Sequence, residues 1–129
     1  MAPISVTLAR RDPPAAVVTL VGEHDPYSSQ RLENELAILL EEGLAVVVDL
    51  RDASFIDSTT LGVLLAGRTR AERASLGFVL ALPKDELAQV NHILELTQLG
   101  RAFASVTTIE DGLRAARAGQ TAHRPSKAA

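Results

Sequence analysis

Asp57, Ser58, Thr59 and Thr60 stand in a row inside the stretch FIDSTTLG (55–62), with apolar residues on either side. Two kinds of chemistry suit that run. A carboxylate or hydroxyl at a helix start can cap it, by accepting a hydrogen bond from a backbone N–H two or three residues ahead. A serine or threonine hydroxyl can instead accept a phosphate, which adds about −1.5 to −2 charges and strong acceptor oxygens. A cap needs only one side chain, so three neighbouring hydroxyls leave a surplus. A helix N-terminus favours a phosphate placed there, while Asp57 repels it.

Other chemistries fit less well. Ser58 as a nucleophile needs a base, and His24, His92 and His123 show no spacing that specifies one. The stretch is not G-x-S-x-G, and the chain has no Walker A or glycine-rich dinucleotide pattern. The acidic residues of 23–25 with Asp52 and Asp57 offer oxygen ligands suited to Mg²⁺ or Ca²⁺, but no loop has calcium-binding spacing. No catalysis, cofactor or metal is therefore expected. His24 reads as a packed histidine at a strand end and His92 as a surface residue.

The elements that must position this run follow from periodicity. ISVTLA (4–9) and AAVVTLVG (15–22) read as two strands joined by the turn-rich RRDPP, hence an antiparallel pair. Helical spacing then takes over in 22–43: Asp25 is a candidate cap, with Pro26 at the first helical position. Leu32, Leu36, Leu39 and Leu40 form its apolar face, and Gly43 ends it. The continuous apolar run LAVVVDL (44–50) is the mark of a strand covered on both faces. A second helix begins near Ser58 and runs to about Arg73. LGFVLAL (76–82) is a further buried strand, and 83–96 reads as a helix with Leu87, Val90 and Leu94 on one face. FASVT (103–107) is a short strand, and Thr108 to Asp111 has capping-box spacing for a last helix ending near Gly119. The order β-β-α-β-α-β-α-β-α predicts an α/β fold with a mixed sheet of about five strands and helices mainly on one face. Ser58 then sits outside the carboxyl end of a strand, where open α/β sheets place their functional sites. Residues 1–118 read as one domain and 119–129 as a flexible tail.

Composition narrows the function. The chain has 129 residues, 47% hydrophobic but only 3% aromatic, so few rings are available for base stacking. Its net charge of −3 and lack of a basic stripe argue against direct nucleic-acid binding. With no cysteine there is no disulfide, thiolate metal site or cysteine nucleophile. No run approaches the roughly 20 apolar residues of a membrane span, and the N-terminus lacks a signal-peptide core. A cytoplasmic protein without membrane insertion is expected.

Three blocks carry a family resemblance: LVGEHDPYSSQRLE, VVVDLRDASFIDSTTLGVLL and ILELTQLGRAF. With them the chain, over about residues 4–118, resembles the STAS domain of anti-sigma factor antagonists. That resemblance implies a STAS-type fold and a protein that performs no chemistry itself. It implies binding, in the unphosphorylated form, to an anti-sigma factor with serine kinase activity. Phosphorylation releases the antagonist, a serine phosphatase restores it, and sigma-factor-dependent transcription responds. The serine after the motif's aspartate is Ser58, which takes the acceptor role, with Thr59 and Thr60 as alternates. Asp25 and Asp57 match acidic positions flanking the site. Asp25, Asp57, Ser58, Thr59, Thr60 and Gly62 are the expected partner contacts, with Arg68, Arg70 and Arg73 as a polar rim. His24 stands where the family usually has an apolar residue, and Thr60 and Gln98 where many members have glycine. The resemblance extends to STAS subunits of lipid-transport ABC complexes and of stress-signalling assemblies, where the helix start would be a docking contact without a phosphoswitch.

Overall fold

The computed structural model describes residues 3–9 and 13–122. The strands β1 (Ile4–Ala9) and β2 (Ala15–Leu20) pair antiparallel, from Ile4 opposite Leu20 to Ala9 opposite Ala15. β2 does not continue to 22. Gly22 has φ +82° and its N–H turns to the Asp52 carbonyl, so the chain leaves the main sheet there. It enters a short strand, β3 (Gly22–His24), before the helix α1 (Pro26–Glu41).

β4 (Ala45–Asp49) is buried at every position and lies parallel to β2. It ends on a built corner. The buried Asp49 carboxylate accepts from Arg51 Nε at 3.0 Å, Nη2 at 3.2 Å and the Arg51 backbone N–H at 3.1 Å. Its hydrogen bond raises the Arg51 pKa further above its usual value. Beyond that corner lies β5 (Ala53–Ile56), which pairs parallel with β3. The helix α2 (Ser58–Arg73), the strand β6 (Phe78–Ala81), the helix α3 (Gln89–Leu96), a 3-10 turn, the strand β7 (Ala104–Val106) and the helix α4 (Ile109–Arg117) complete the chain. The main sheet runs β1-β2-β4-β6-β7, parallel except for β1.

Alternation along β4 divides the core. Val46 and Val48 face Leu32, Leu36, Leu61, Leu64, Val90 and Leu94 of α1, α2 and α3. Ala45 and Val47 face the other way, with Val79, Ala81 and Ala104, against Ala116, Ile109 and Leu113 of α4. Three helices thus cover one face and one covers the other. The α4 face is lined with small residues, which lets that helix approach closely. A Cβ on Gly112 would stand 2.9 Å from Val47 Cγ1. After α4, the Gln120 carbonyl accepts from Phe78 N–H at 2.8 Å and Thr121 from Ala104 N–H at 3.4 Å. The rest of the expected tail, 123–129, lies outside the described residues.

The third helix begins later than its spacing suggests. Asp85 accepts from the Leu87 N–H at 2.9 Å, and Asn91 Nδ2 donates to the carbonyls of Pro83 and Asp85, both at 2.8 Å. These local bonds hold 83–88 in a turn. Leu87, expected on the apolar face, is 90% exposed, whereas Val90 and Leu94 are buried.

Gly77 passes so close to the end of α4 that an added Cβ would collide with the Ala116 carbonyl. Gly77→Ala must push backbone from backbone and is expected to cost about 1–3 kcal/mol. Urea unfolding measures it; an unchanged midpoint would mean α4 can retreat freely.

Candidate functional site

Two helix starts stand side by side at the carboxyl ends of a parallel strand pair. β3 and β5 are in register with His24 opposite Ile56, so the next residues, Asp25 and Asp57, are neighbours in the chain path and each caps its helix. The far edge of β5 is held by one side chain: Gln89 Oε1 accepts from Ile56 N–H and Gln89 Nε2 donates to the Ile56 carbonyl, both at 2.9 Å. The amide thereby takes the place of a further strand and fixes the residue preceding Asp57.

The two starts share the pattern D-x-x-[ST] and differ in detail. In α1, Asp25 Oδ1 accepts from the N–H groups of Tyr27 and Ser28, and Ser28 Oγ accepts in return from Asp25 N–H at 3.0 Å. That is a complete capping box with proline at the first helical position. In α2, Asp57 Oδ1 accepts from Thr60 N–H at 2.7 Å. Thr60, the counterpart of Ser28, is fully buried and its Oγ1 has no hydrogen-bond partner among the described residues. The box is half made.

This arrangement sorts the three hydroxyls. Consecutive helical positions lie about 100° apart, so they cannot share a face. Ser58 and Thr59 are exposed, and Ser58 makes no side-chain hydrogen bond among the described residues. Thr60, expected as an alternate acceptor and partner contact, is buried instead, apart from the two exposed hydroxyls. Gly62 is exposed with open space beside it, while a Cβ added at the buried Gly67 would stand 3.1 Å from Leu36 and from the Phe78 ring. Arg70 and Arg73 are exposed; Arg68 is tied to Glu72 at 2.9 Å.

Apolar side chains near this end of the fold that reach solvent include Tyr27 on α1, Phe55 on β5, and Leu87 just before α3. The sequence does not single out Tyr27, Phe55 or Gln89, because an isolated exposed apolar residue and a half-buried amide show no period, and it places Leu87 on the wrong side of the expected helix.

His24 is buried behind the cap of α1. Its Nε2 donates to the Val21 carbonyl at 3.1 Å, and its Nδ1 is buried without a partner among the described residues. Burial lowers its pKa, against the opposing effects of the Val21 carbonyl and Asp25. His92 is exposed and His123 lies outside the described residues.

Among the described residues no group of three or more His, Cys, Asp or Glu side chains could hold a metal ion, and no helix is long and apolar enough to cross a membrane. The site offers an accessible hydroxyl beside a carboxylate, on a surface of mixed polarity. Its architecture, a mixed five-stranded sheet with a helix start at the carboxyl end of a short parallel strand pair, is that of an α/β module of the SpoIIAA-like type. The chain belongs to the STAS domain family, which matches residues 7–115. It is 27% identical over 97 residues to the anti-sigma-B factor antagonist of Listeria monocytogenes, covering 74% of this chain and 85% of that one. The crystal structure of an anti-sigma factor antagonist from Mycobacterium paratuberculosis superposes with a TM-score of 0.72 at 25% identity, over 89% of this chain and 95% of that one. SpoIIAA in its unphosphorylated form gives a TM-score of 0.68 at 17% identity, over 87% and 96% of the two chains.

The histidine makes stability pH-dependent with a defined sign. Its folded pKa lies below the unfolded value of 6.5, so between the two the unfolded chain binds a proton that the folded chain does not. Stability is expected to fall as pH drops below 6.5, and His24→Gln to flatten that part of the curve. Parallel slopes for both proteins in urea unfolding at several pH values would exclude His24 as the cause.

Proposed function

We propose that this protein is an anti-sigma factor antagonist of the partner-switching kind. Unphosphorylated, it binds an anti-sigma factor that is also a serine kinase. Phosphorylation of Ser58 releases it, and a serine phosphatase restores it. Sigma-factor-dependent transcription then follows the state of one hydroxyl. The reading takes residues 1–118 as a single STAS domain acting in the cytoplasm.

The observation that carries this reading is the division of labour at the start of α2. Asp57 makes the cap, so Ser58 is spared from it and stands exposed at the first helical position. The names of the Listeria and Mycobacterium proteins supply the partner class. A phosphate on Ser58 sits where the helix dipole favours negative charge, so the fold tolerates it. A docked partner does not. An acidic partner group ~5 Å from the phosphate repels it by about 3 kcal/mol per charge pair at an effective dielectric near 20, before salt screening. That is roughly a hundredfold in affinity. Asp25, Asp57, Ser58, Thr59 and Gly62 form the polar part of the contact surface, and Tyr27, Phe55 and Leu87 the apolar part. Thr59 is the alternate acceptor.

The test is a titration of the kinase-type anti-sigma factor with three proteins. Ser58→Asp should bind roughly a hundredfold more weakly than wild type while unfolding at a similar urea concentration. Ser58→Ala should bind normally and take no phosphate. Equal affinity for Ser58→Asp and wild type would end the switch reading, and labelling of Ser58→Ala would move the acceptor to Thr59.

A further inference from the structure

Among the described residues, the β1 edge of the main sheet has little of the usual protection. Edge strands are commonly blunted by charge, proline, a bulge or a covering element, because their free peptide groups invite pairing. Within Ile4–Ala9 the sequence ISVTLA holds no charge and no proline. Val6 and Leu8 are 37% and 45% exposed.

The pairing of β1 with β2 fixes which peptide groups face outward. Pro3 carbonyl accepts from Val21 N–H at 3.2 Å, so position 3 points toward β2. Antiparallel ladders alternate, and Ile4, Val6 and Leu8 therefore direct their N–H and C=O groups away from it. Arg31 confirms this, since its Nη2 reaches the Ile4 carbonyl at 3.2 Å.

The flank of α1 beside this edge is polarised. Arg31 lies level with Ile4, and Glu42 lines a cleft with Leu8, Ala9, Pro14 and Leu44 at the other end of the strand. Ile38, seven residues after Arg31 and four before Glu42, falls on the same side of the helix and is 50% exposed. Glu35 shares that side but is half-buried. Neither Arg31 nor Glu42 makes an ion pair among the described residues. Among the described residues the edge thus carries a cation at one end, an anion at the other, and Val6, Leu8 and Ile38 between them.

A two-fold interface demands that pattern, because residue i must meet j while j meets i. We propose that this edge pairs with the same edge of a second copy of the chain, as antiparallel β1 strands. Val6 lies opposite Val6 on the axis, and Ile4 opposite Leu8 of the second copy. Arg31 of each copy then approaches Glu42 of the other, and the Ile4 carbonyl, with two lone pairs, can serve both Arg31 and the new strand. The result is one continuous ten-stranded sheet.

The test is sedimentation equilibrium of wild type, Val6→Lys, Arg31→Glu, Glu42→Arg and the double reversal Arg31→Glu/Glu42→Arg. Wild type should dimerise. Val6→Lys should be monomeric, since it sets two ammonium groups together on the axis. Each single reversal should raise the dimer dissociation constant about tenfold by turning two symmetry-related attractions into repulsions, and the double reversal should restore it. Urea unfolding of each variant confirms that the monomer still folds. A wild type that stays monomeric throughout the micromolar range would overturn the proposal. So would a dimer that Val6→Lys leaves intact, or one that the double reversal fails to restore.

Discussion

One hydrogen bond decides what the start of α2 can do. Because Asp57 Oδ1 accepts from Thr60 N–H at 2.7 Å, the capping work of that helix rests on a carboxylate. An N-cap side chain is worth about 1 kcal/mol, and a phosphorylated cap could not hold the same geometry. Had Ser58 been the cap, modification would have removed it and frayed the first turn. With Asp57 in that role the serine moves one place into the helix, where added charge meets a favourable dipole and no structural bond is lost.

That bond depends on a small sheet that hydrophobic pattern cannot reveal. β3 and β5 span three and four residues, too short to display a period, and Gly22 reads equally well as the end of β2. Yet their pairing sets Asp25 and Asp57 at adjacent strand ends, and Gln89 secures the outer edge from 33 residues away. The third helix thus contributes to the site through a single amide, which explains its attachment to β5 even though its first expected turn is replaced by the Asp85 turn.

What the sequence made legible follows the length and redundancy of its signals. The five main strands and four helices were visible because their apolar residues recur over many positions, as in Leu32, Leu36, Leu39 and Leu40 or the unbroken run of β4. The start of α1 was legible because D-P admits one reading. The start of α2 was legible near Ser58, but its capping side chain was not, because Asp57, Ser58, Thr59 and Thr60 are all acceptable near an N-cap, and only the bond from Thr60 N–H to Asp57 and the burial of Thr60 separate them. Leu87 met the helical spacing and still faces solvent, since Asp85 offers the backbone a competing bond. Gln89 gave no signal, because a bond between a side chain and a distant peptide leaves no trace in local pattern.

The contrast between the two helix starts is the more instructive feature. Both begin with an aspartate and place a hydroxyl three residues later, but Ser28 closes its capping box and Thr60 does not. An unpaired buried hydroxyl costs about 1–3 kcal/mol, and valine would fill similar space without that cost. Likewise the first helical position is proline in α1, which carries no hydroxyl, and serine in α2. One start is locked by a reciprocal pair of hydrogen bonds; its neighbour is held by one. Fewer cap bonds hold the first turn where the accessible hydroxyl lies, so that turn is expected to open more readily than the start of α1 beside it. A switch of the kind proposed, docked against, modified and restored, would require both a yielding turn and a firm one beside it, and two unequal caps on paired strand ends fit that requirement.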